Sequence, residues 1–445
     1  MWRLFLISLL ALTACQPSPQ IDRPAMAEKV KQEFLHAWNG YKTYAWGHDD
    51  LKPLSQSYHD WHETPLLMTP VDGFSTMKLM GLEDQAADAK ALIMDQLRFD
   101  IDLNVQVFEI IIRQLGGLLS AYQLDDDARF LALAKDLGDR LLPAFDSPTA
   151  MPYRYVNLVT GETADPVSNP AEIGTTILEF GTLSKETGDP RYYDAAMKAL
   201  KALFERRSAI DLVGTQINVE TGEWVDPATH IGGMIDSYYE YLYKGWLMFG
   251  DETLKQMWDV HIVALNSHLA DEVDSGFWYG RGDMNQGEVI RPVYGALDAF
   301  FAGTLALSGD LDRAAKLQAS NFKMWMLHGI EPEGLNYVTM ESTSNGYVLR
   351  PENIESAYYL YKLTGEDKYL DMGRQMFESL VQYCRNETGY AHLKDVRTKE
   401  QSDAMQSFFL AETLKYSYLL FAPIETIDFN KTVFNTEAHP LKVWK

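Results

Sequence analysis

The sequence predicts an all-α fold, a closed ring of helical hairpins, and three observations lead to this prediction. A short turn, in which a glycine or an acid follows an apolar run, recurs at residues 79–83, 123–127, 183–192, 249–251, 307–310 and 363–369. The spacing of these turns, roughly 45 to 60 residues, is typical of arrays of helical hairpins. The segments between the turns, such as 195–204 and 372–383, carry apolar residues at helical spacing. Strand patterns are few, so we expect an α/α toroid of about seven hairpins.

The N-terminus has the pattern of an export signal. Arg3 precedes an apolar run at residues 4–12, which is too short to span a membrane as a mature helix. Residues 12–15 have the form of a bacterial lipobox, which predicts cleavage after residue 14 and lipid attachment to Cys15. Gln16 then favours the outer membrane of a bacterial cell envelope, by resemblance to other lipoproteins. The alternative is an ordinary secretory signal with a chance cysteine.

The organisation that follows is a signal peptide at 1–14, a polar tether at 15–27 and one domain at 28–445. Within each hairpin, we expect the glycine to end one helix and the acid to open the next. A terminal helix is predicted near residues 408–421, and residues 214–219 and 224–225 flank a turn that predicts one small β-hairpin. Cys384 is the only cysteine besides Cys15, so no internal disulfide is expected.

Composition excludes one class of partner. The formal net charge is -24 at pH 7. Because contacts to nucleic-acid phosphates need clustered lysines and arginines, this balance argues against nucleic-acid binding. The hydrophobic content of 46% is ample for a large core.

Four apolar or aromatic helices contain acids that are costly to bury without a purpose. Each also has a structural explanation. Glu109 and Arg113 stand four residues apart, where an ion pair within one helix is common. Asp236 would fit a plain helix start, because acids there complement the helix dipole. The fourth helix holds Glu412 among aromatic residues.

The remaining helix begins at Arg350-Pro351-Glu352, with Glu355 three residues further on. Residues three apart share a helix face, so both glutamates would point the same way. An arginine can hold one carboxylate with both nitrogens while another carboxylate stays free for acid–base chemistry. On one ring, these acids and the nearby aromatic residues can converge in a single cavity. Such a site suits glycoside hydrolysis, in which one acid protonates the leaving oxygen and another activates water.

At this point the chain resembles the family 47 glycoside hydrolases, the class I α-mannosidases. The similarity runs from residue 41 to residue 440, and its longest motifs are residues 108–109, 236–242, 349–352 and 407–416. The resemblance implies an (α/α)7 barrel that removes α-1,2-linked mannose with inversion and requires Ca2+. The implied partner is an α-1,2-linked mannose oligosaccharide or mannan. The protein is expected to be a monomer that contacts the membrane only through its lipid anchor.

The resemblance also implies individual roles. Glu109 matches the general acid, acting directly or through a water, and Glu352 matches the general base. Asp236 matches a third essential acid that either orients water or is itself the proton donor. Thr436 matches the calcium ligand, through its hydroxyl and carbonyl oxygens. The residues expected to line the sugar pocket and to hold the calcium-bound waters are Arg113, Glu333, Arg350, Glu355, Phe408, Glu412 and Glu437.

Four positions depart from the family pattern. Ser75 stands where the family usually carries a second aspartate, and Met234 replaces an arginine that grips the glycan branch in the processing enzymes. Ala296 and Ala299 stand in place of a usual histidine and a usual disulfide cysteine. The expected acid, base and calcium positions remain, so we expect an exo-acting enzyme with relaxed or different branch preference. The alternative is a catalytically weak, lectin-like mannoside-binding protein on the same barrel.

Overall fold

The computed structural model describes residues 21–445, which fold into a double ring of helices. In chain order the helices are α1 (Arg23–Tyr44), α2 (Met68–Met80), α3 (Glu83–Gln96), α4 (Val107–Glu109), α5 (Gly116–Asp125), α6 (Ala128–Leu141), α7 (Pro170–Gly174), α8 (Ile177–Thr187), α9 (Arg191–Glu205), α10 (Asp236–Phe249), α11 (Glu252–His268), α12 (Phe301–Leu307), α13 (Leu311–Met326), α14 (Glu352–Thr364), α15 (Asp367–Cys384) and α16 (Leu414–Phe421).

Seven helices form the inner ring, in the order α2, α5, α8, α10, α12, α14 and α16, and α16 contacts α2 again. Six outer helices, α3, α6, α9, α11, α13 and α15, each pack against the inner helix that precedes them in the chain. The seventh outer helix is α1, which packs against α16. The first and last long helices of the described chain therefore close the ring, and the predicted (α/α)7 barrel is confirmed.

The predicted turns are the six connections from an inner helix to its outer partner. In each of them one residue adopts a left-handed backbone conformation, which glycine reaches without steric cost. These residues are Gly81, Asp126, Gly188, Gly250, Gly309 and Gly365. The acids that follow cap the next helix in three hairpins, where Asp127, Asp251 and Asp310 accept a hydrogen bond from an amide of the first turn.

Short strands lie in the longer connections, and the prediction of one small β-hairpin was too sparse. Residues 21–445 contain four two-stranded and four three-stranded sheets. The strands are β1 (Asp50–Lys52), β2 (Ser57–His59), β3 (Asn104–Gln106), β4 (Tyr155–Asn157), β5 (Thr163–Ala164), β6 (Val167–Ser168), β7 (Gln216–Asn218), β8 (Trp224–Asp226), β9 (Ala228–Thr229), β10 (Ala270–Val273), β11 (Gly276–Tyr279), β12 (Arg281–Asp283), β13 (Val289–Arg291), β14 (Val293–Gly295), β15 (Gly334–Asn336), β16 (Glu341–Ser344), β17 (His392–Asp395), β18 (Glu400–Ser402), β19 (Thr432–Phe434) and β20 (Pro440–Lys442). The predicted hairpin is β7–β8. Strands of two to four residues are too short to show an alternating pattern, so the sequence did not reveal the others.

Two features of the fold shape the interior of the barrel. The hairpin β19–β20 reaches inner helices α5, α8 and α10. Two inner helices also contain π-helical segments, Ile110–Leu115 between α4 and α5, and Phe409–Thr413 before α16. Such segments are frequent at functional sites, because they change the direction of nearby side chains.

The domain begins earlier than the sequence predicted. Helix α1 starts at Arg23, where Asp22 accepts a hydrogen bond from the amide of Ala25 at 3.1 Å and Pro24 occupies the first turn. Residues 23–27 are therefore helical, and the predicted tether at 15–27 was too long. The predicted signal peptide and Cys15 lie outside the described residues. Within 21–445, no helix is both long and apolar enough to cross a membrane.

Candidate active site

The inner ring encloses a cavity of about 280 Å³. Helices α10 and α14 contribute their first residues, Asp236 and Glu352, and α4 contributes Glu109. The N-terminal ends of helices favour nearby negative charge, which suits carboxylates at these positions. Ten of the predicted site residues line this one cavity: Glu109, Arg113, Asp236, Arg350, Glu352, Glu355, Phe408, Glu412, Thr436 and Glu437.

Glu333 is the exception, because it is not among the residues that line the cavity, and its predicted place in the sugar pocket stays a prediction. Its carboxylate does not line the cavity and instead holds Arg350, with Nε 3.2 Å from both carboxylate oxygens and Nη2 3.0 Å from one of them. The cause is the geometry of guanidinium, whose planar fork matches one carboxylate edge. Glu333 therefore acts through Arg350, which itself reaches the cavity.

Glu352 is a largely buried carboxylate with one oxygen that accepts no hydrogen bond from the described chain. Its side chain is 12% exposed, Arg350 Nη1 lies 4.0 Å from its Oε1, and its Oε2 has no hydrogen-bond partner among residues 21–445. Burial raises the pKa of Glu352 to about 7, although Arg350 acts in the opposite direction. Pro351 precedes the helix, and its carbonyl accepts the amide of Glu355 at 2.8 Å. The backbone thus fixes the direction of Glu352 from its first helical turn.

Arg113 organises the opposite side of the cavity. Its Nε donates to Glu109 at 2.8 Å, and its Nη1 contacts Glu437. The guanidinium lies 5.3 Å from the ring of Trp61 and 5.8 Å from the ring of Phe408, distances at which cation–π attraction operates. This side of the site is therefore rigid, and Glu109 is held as the partner of a cation.

Asp236 has a different environment from Glu109. No lysine, arginine or histidine within residues 21–445 forms a salt bridge with Asp236, whose Oδ1 accepts the amide of Ser237 at 2.9 Å. Burial raises the pKa of Asp236 to about 7, and the charges of Glu240 and Asp298 add to this effect. Of the two candidate proton donors, Asp236 is the one whose surroundings favour the protonated form.

Thr436 lies on a tight loop that projects into the barrel between β19 and β20. Asn435 Oδ1 accepts the amides of Glu437 and His439 at 3.0 and 2.7 Å, and Ala438 has a left-handed φ of 56°. The amide of Thr436 donates to the hydroxyl of Tyr241 at 3.1 Å. The loop thus presents the hydroxyl and carbonyl oxygens of Thr436, which accept no hydrogen bond within the described chain.

A close approach of backbone to this loop requires glycine in α5. A Cβ at Gly116 would lie 2.6 Å from Asn435 Nδ2, and one at Gly117 would lie 2.6 Å from the side chain of Val71. Behind the loop, Lys415 is fully buried and donates to Ser75 Oγ at 2.8 Å and to the carbonyl of Ala438. Ser75, one of the departures, is therefore part of the support of the Thr436 loop.

The donor atoms around Thr436 fit a calcium ion. Each charged or polar lining side chain that could bind a metal would do so through an oxygen atom of a carboxylate, an amide or a hydroxyl. No histidine or cysteine among the described residues lines the cavity. Burial, and then the charges of Glu437, Glu352 and Glu355, raise the pKa of Glu412 well above its ordinary value. The concentration of carboxylates in this cavity favours the binding of a cation. Ca2+ prefers oxygen ligands, including water. Within residues 21–445, no group of three acids, histidines or cysteines is arranged to hold a metal directly.

The cavity is also lined by residues that the sequence did not single out as binding residues. One wall is polar, with Gln106, Asn169 and Glu172, and Glu172 is held by Arg154 at 2.8 Å. These residues belong to no motif, and only the Asn-Pro helix start at 169–170 stands out in the sequence.

Another part of the lining is apolar. It contains Met234, Leu297 and Phe300, and Met234 is 39% exposed with a left-handed φ of 78°. Its carbonyl accepts the amide of Ala171 at 2.9 Å and so joins the two walls. Of the four positions that depart from the family pattern, Met234 lines the cavity itself, and Ala296 and Ala299 are neighbours of the lining residues Leu297 and Phe300.

Comparisons with known proteins agree with this geometry. The sequence profile described as "Glycosyl hydrolase family 47" matches residues 33–443. The chain is 37% identical to "Alpha-mannosidase I MNS5" of Arabidopsis thaliana, over 99% of this chain and 82% of the relative. It is 39% identical to "ER degradation-enhancing alpha-mannosidase-like protein 2" of Mus musculus, over 97% of this chain and 81% of the relative. The solved structure of an α-1,2-mannosidase from Trichoderma reesei superposes with a TM-score of 0.87 at 30% identity, and the match covers 95% of this chain and 99% of that one.

Proposed function

This chain belongs to glycosyl hydrolase family 47, and we propose that it is an exo-acting, calcium-dependent, inverting α-1,2-mannosidase. The substrate would be the terminal mannose of a mannose oligosaccharide or mannan. The observation that carries the proposal is the single cavity in which Glu352, Asp236 and Glu109 meet. The relatives named mannosidases, and the solved α-1,2-mannosidase, support the choice of sugar and linkage.

The size of the cavity supports exo-cleavage. A volume of about 280 Å³ lies just below the usual range of ligand sites, roughly 300–1,000 Å³. A cavity inside a helical ring accommodates a chain end, whereas internal cleavage requires an open groove. One terminal sugar would enter among the acids, and the next unit would remain beside Met234.

The placement of the two acids on separate inner helices supports hydrolysis with inversion of configuration at C1. Asp236 begins α10 and Glu352 begins α14, and α12 lies between these two helices in the ring. Inverting glycosidases need about 6.5–9.5 Å between the two carboxyl groups, so that a water fits between one of them and the sugar. In the proposed reaction, Glu352 takes a proton from that water as it attacks C1. Asp236 gives its proton to the leaving glycosidic oxygen, so the proton count balances.

Calcium would be held by the hydroxyl and carbonyl oxygens of Thr436 and by waters bonded to the surrounding glutamates. Bound there, the ion would supply positive charge for sugar hydroxyls and help to fix the ring conformation of the substrate. The chain's own residues bind the sugar, and Phe408 offers an aromatic face. Arg113 donates a hydrogen bond that holds Glu109, and Arg350 lies beside the carboxylate of Glu352.

The finer aspects of substrate and location are part of the proposal. With Met234 in the cavity lining, branch preference would rest on apolar contact rather than on a charged grip. We also propose that the mature chain is a monomeric lipoprotein, anchored through Cys15 to the outer membrane of a bacterial cell.

Linkage specificity tests the proposed function. The calcium-loaded protein is incubated with α-1,2-, α-1,3- and α-1,6-linked mannobiose, and released mannose is measured. We expect rapid release from the α-1,2-linked disaccharide alone. Saturable binding of mannobiose without release over long incubation would instead favour the lectin-like alternative, against which the three retained acids argue.

Removal of calcium is expected to abolish activity and lower Tm. A ligand present at 100 times its Kd stabilises a fold by about 2.7 kcal/mol, so chelation should be visible in thermal unfolding. Added Ca2+ should restore both properties better than Mg2+, which demands a smaller and stricter shell. Thr436→Val, which keeps the size of the side chain and removes its hydroxyl, should weaken Ca2+ binding measured by calorimetry. Unchanged turnover and Tm after thorough chelation would contradict the proposed metal site.

A further inference from the structure

Directly beneath the turn that carries Asp236 lies a second buried acid, Asp298. It belongs to the 3-10 turn Leu297–Phe300, which comes before α12, and it is 1% exposed. The turn above it begins at Gly232, whose carbonyl accepts the amides of Ile235 at 3.1 Å and Asp236 at 3.0 Å. A Cβ at Gly232 would lie only 1.6 Å from Asp298 Oδ1. The carboxylate of Asp298 therefore occupies the space that a side chain at residue 232 would fill.

The partners of Asp298 are unequally distributed between its two oxygens. Oδ2 accepts the amide of Gly295 at 3.0 Å and lies 3.8 Å from Arg281 Nη2. Oδ1, which rests against Gly232, has no hydrogen-bond partner within residues 21–445. A buried carboxylate oxygen without a donor is costly, so its persistence needs a reason. The contact of Oδ1 with the turn that orients Asp236 provides this reason.

Two buried acids near one another do not ionise with equal ease, because like charges repel. The guanidinium of Arg281 and the backbone amide of Gly295 both stabilise the ionised form of Asp298. Asp236 has the amide and hydroxyl of Ser237 and no cation within salt-bridge distance. The negative charge of the pair therefore belongs on Asp298, and the proton belongs on Asp236.

We propose that Asp298 is a positioning residue for Asp236, which supports the Gly232–Asp236 turn from below and, as a like charge held by Arg281, keeps a proton on Asp236. The inference rests on the proposed function, in which Asp236 is the proton donor. It assigns Asp298 no contact with substrate, because Asp298 does not line the cavity whereas its neighbour Leu297 does.

Other charged or titratable groups also lie around Asp236 and its turn, and one of them, the buried His230, accepts the amide of Gly232 at Nδ1, 3.1 Å away. Glu240 follows on the same helix and is paired with Lys244, while Glu352 faces Asp236 from α14. Arg281 reaches Asp298 from β12. Both Glu240 and Asp298 raise the pKa of Asp236. Of these two, Asp298 is the one that also touches the backbone of the turn.

The test is the pH dependence of kcat/KM on α-1,2-mannobiose for Asp298→Asn. Asparagine keeps the shape and the acceptor for Gly295 but removes the charge, and it leaves Arg281 uncompensated. Because the donor must be protonated, activity falls as pH rises through the pKa of Asp236. We expect this alkaline limb to move down by roughly one pH unit, which is about a tenfold loss at high pH. Asp298→Ala, which also removes the support, should lower kcat further at every pH.

Asp49→Asn is the matched control. Asp49 is as deeply buried as Asp298, but it accepts the backbone amides of Leu66 and Met68, lies outside the cavity lining and does not touch the Gly232 turn. Its alkaline limb should coincide with that of the unaltered enzyme. If Asp298→Asn does not fold, Asp298→Ser provides the same comparison, since a hydroxyl can still accept from Gly295.

The outcomes separate the two levels of the proposal. An unaltered protein that does not hydrolyse α-1,2-mannobiose would refute the proposed function. An active protein whose alkaline limb is the same in folded Asp298→Asn would refute the role of Asp298 alone. Reduced kcat and Tm with an unmoved limb would show a purely structural role and would likewise overturn the proposal.

Discussion

Glu352→Gln is expected to lower kcat on α-1,2-mannobiose by about 10²–10⁴-fold, the usual contribution of a general base. The amide keeps the shape of the side chain and cannot take a proton from water. KM should change little, because the same surface remains for the sugar and Arg350 stays held by Glu333. Steady-state kinetics with purified, calcium-loaded protein measure both constants.

The control for this variant is Glu366→Gln. Glu366 lies at the start of the outer partner helix α15, and it is exposed and outside the cavity. This change removes the same charge and should leave kcat and KM as they were. Near-normal turnover by Glu352→Gln would show that another group activates the water.

Asp236→Asn is expected to lower kcat on α-1,2-mannobiose to a similar degree, about 10²–10⁴-fold, because the leaving sugar must be protonated. The same variant should hydrolyse α-mannosyl fluoride at nearly the normal rate, since fluoride departs without a proton. Glu352→Gln should fail with both substrates, because each needs an activated water. The comparison between the two substrates thus distinguishes loss of an acid from loss of a base.

Glu109→Gln decides between the two candidate donors. If Asp236 holds the proton, this variant should lose activity on both substrates, since it removes the carboxylate charge that is paired with Arg113. Selective rescue of Glu109→Gln by the fluoride, with none for Asp236→Asn, would reverse the assignment. The pKa of about 7 for Asp236, raised by burial, places its loss of the proton near neutral pH.

The hairpin turns made most of the ring predictable. A glycine after an apolar run requires a left-handed residue, and five glycines and Asp126 adopt it where the sequence indicated. The role of α1 was not predictable in the same way, because its packing against α16 joins segments almost 400 residues apart. The short strands were missed since two to four residues carry no clear period.

The residues of the site likewise divide into those that the sequence revealed and those that it did not. Acids in apolar helices are costly, so Glu109, Asp236, Glu352 and Glu412 were visible in the sequence. The hold of Glu333 on Arg350 was not visible, because a sequence does not tell whether a carboxylate faces a cavity or the arginine behind it. Asp298 was invisible as a support, since its importance depends on contact with Gly232, which lies 66 residues earlier in the chain.

The central claim is that this protein hydrolyses a terminal α-1,2-linked mannose with inversion. Proton NMR during the first minutes of α-1,2-mannobiose hydrolysis tests it most directly, before the released sugar mutarotates. The account predicts that the H1 signal of β-mannose appears first and that the α-anomer follows later. Initial release of α-mannose would contradict the inverting mechanism, and no release at all would contradict the assigned activity.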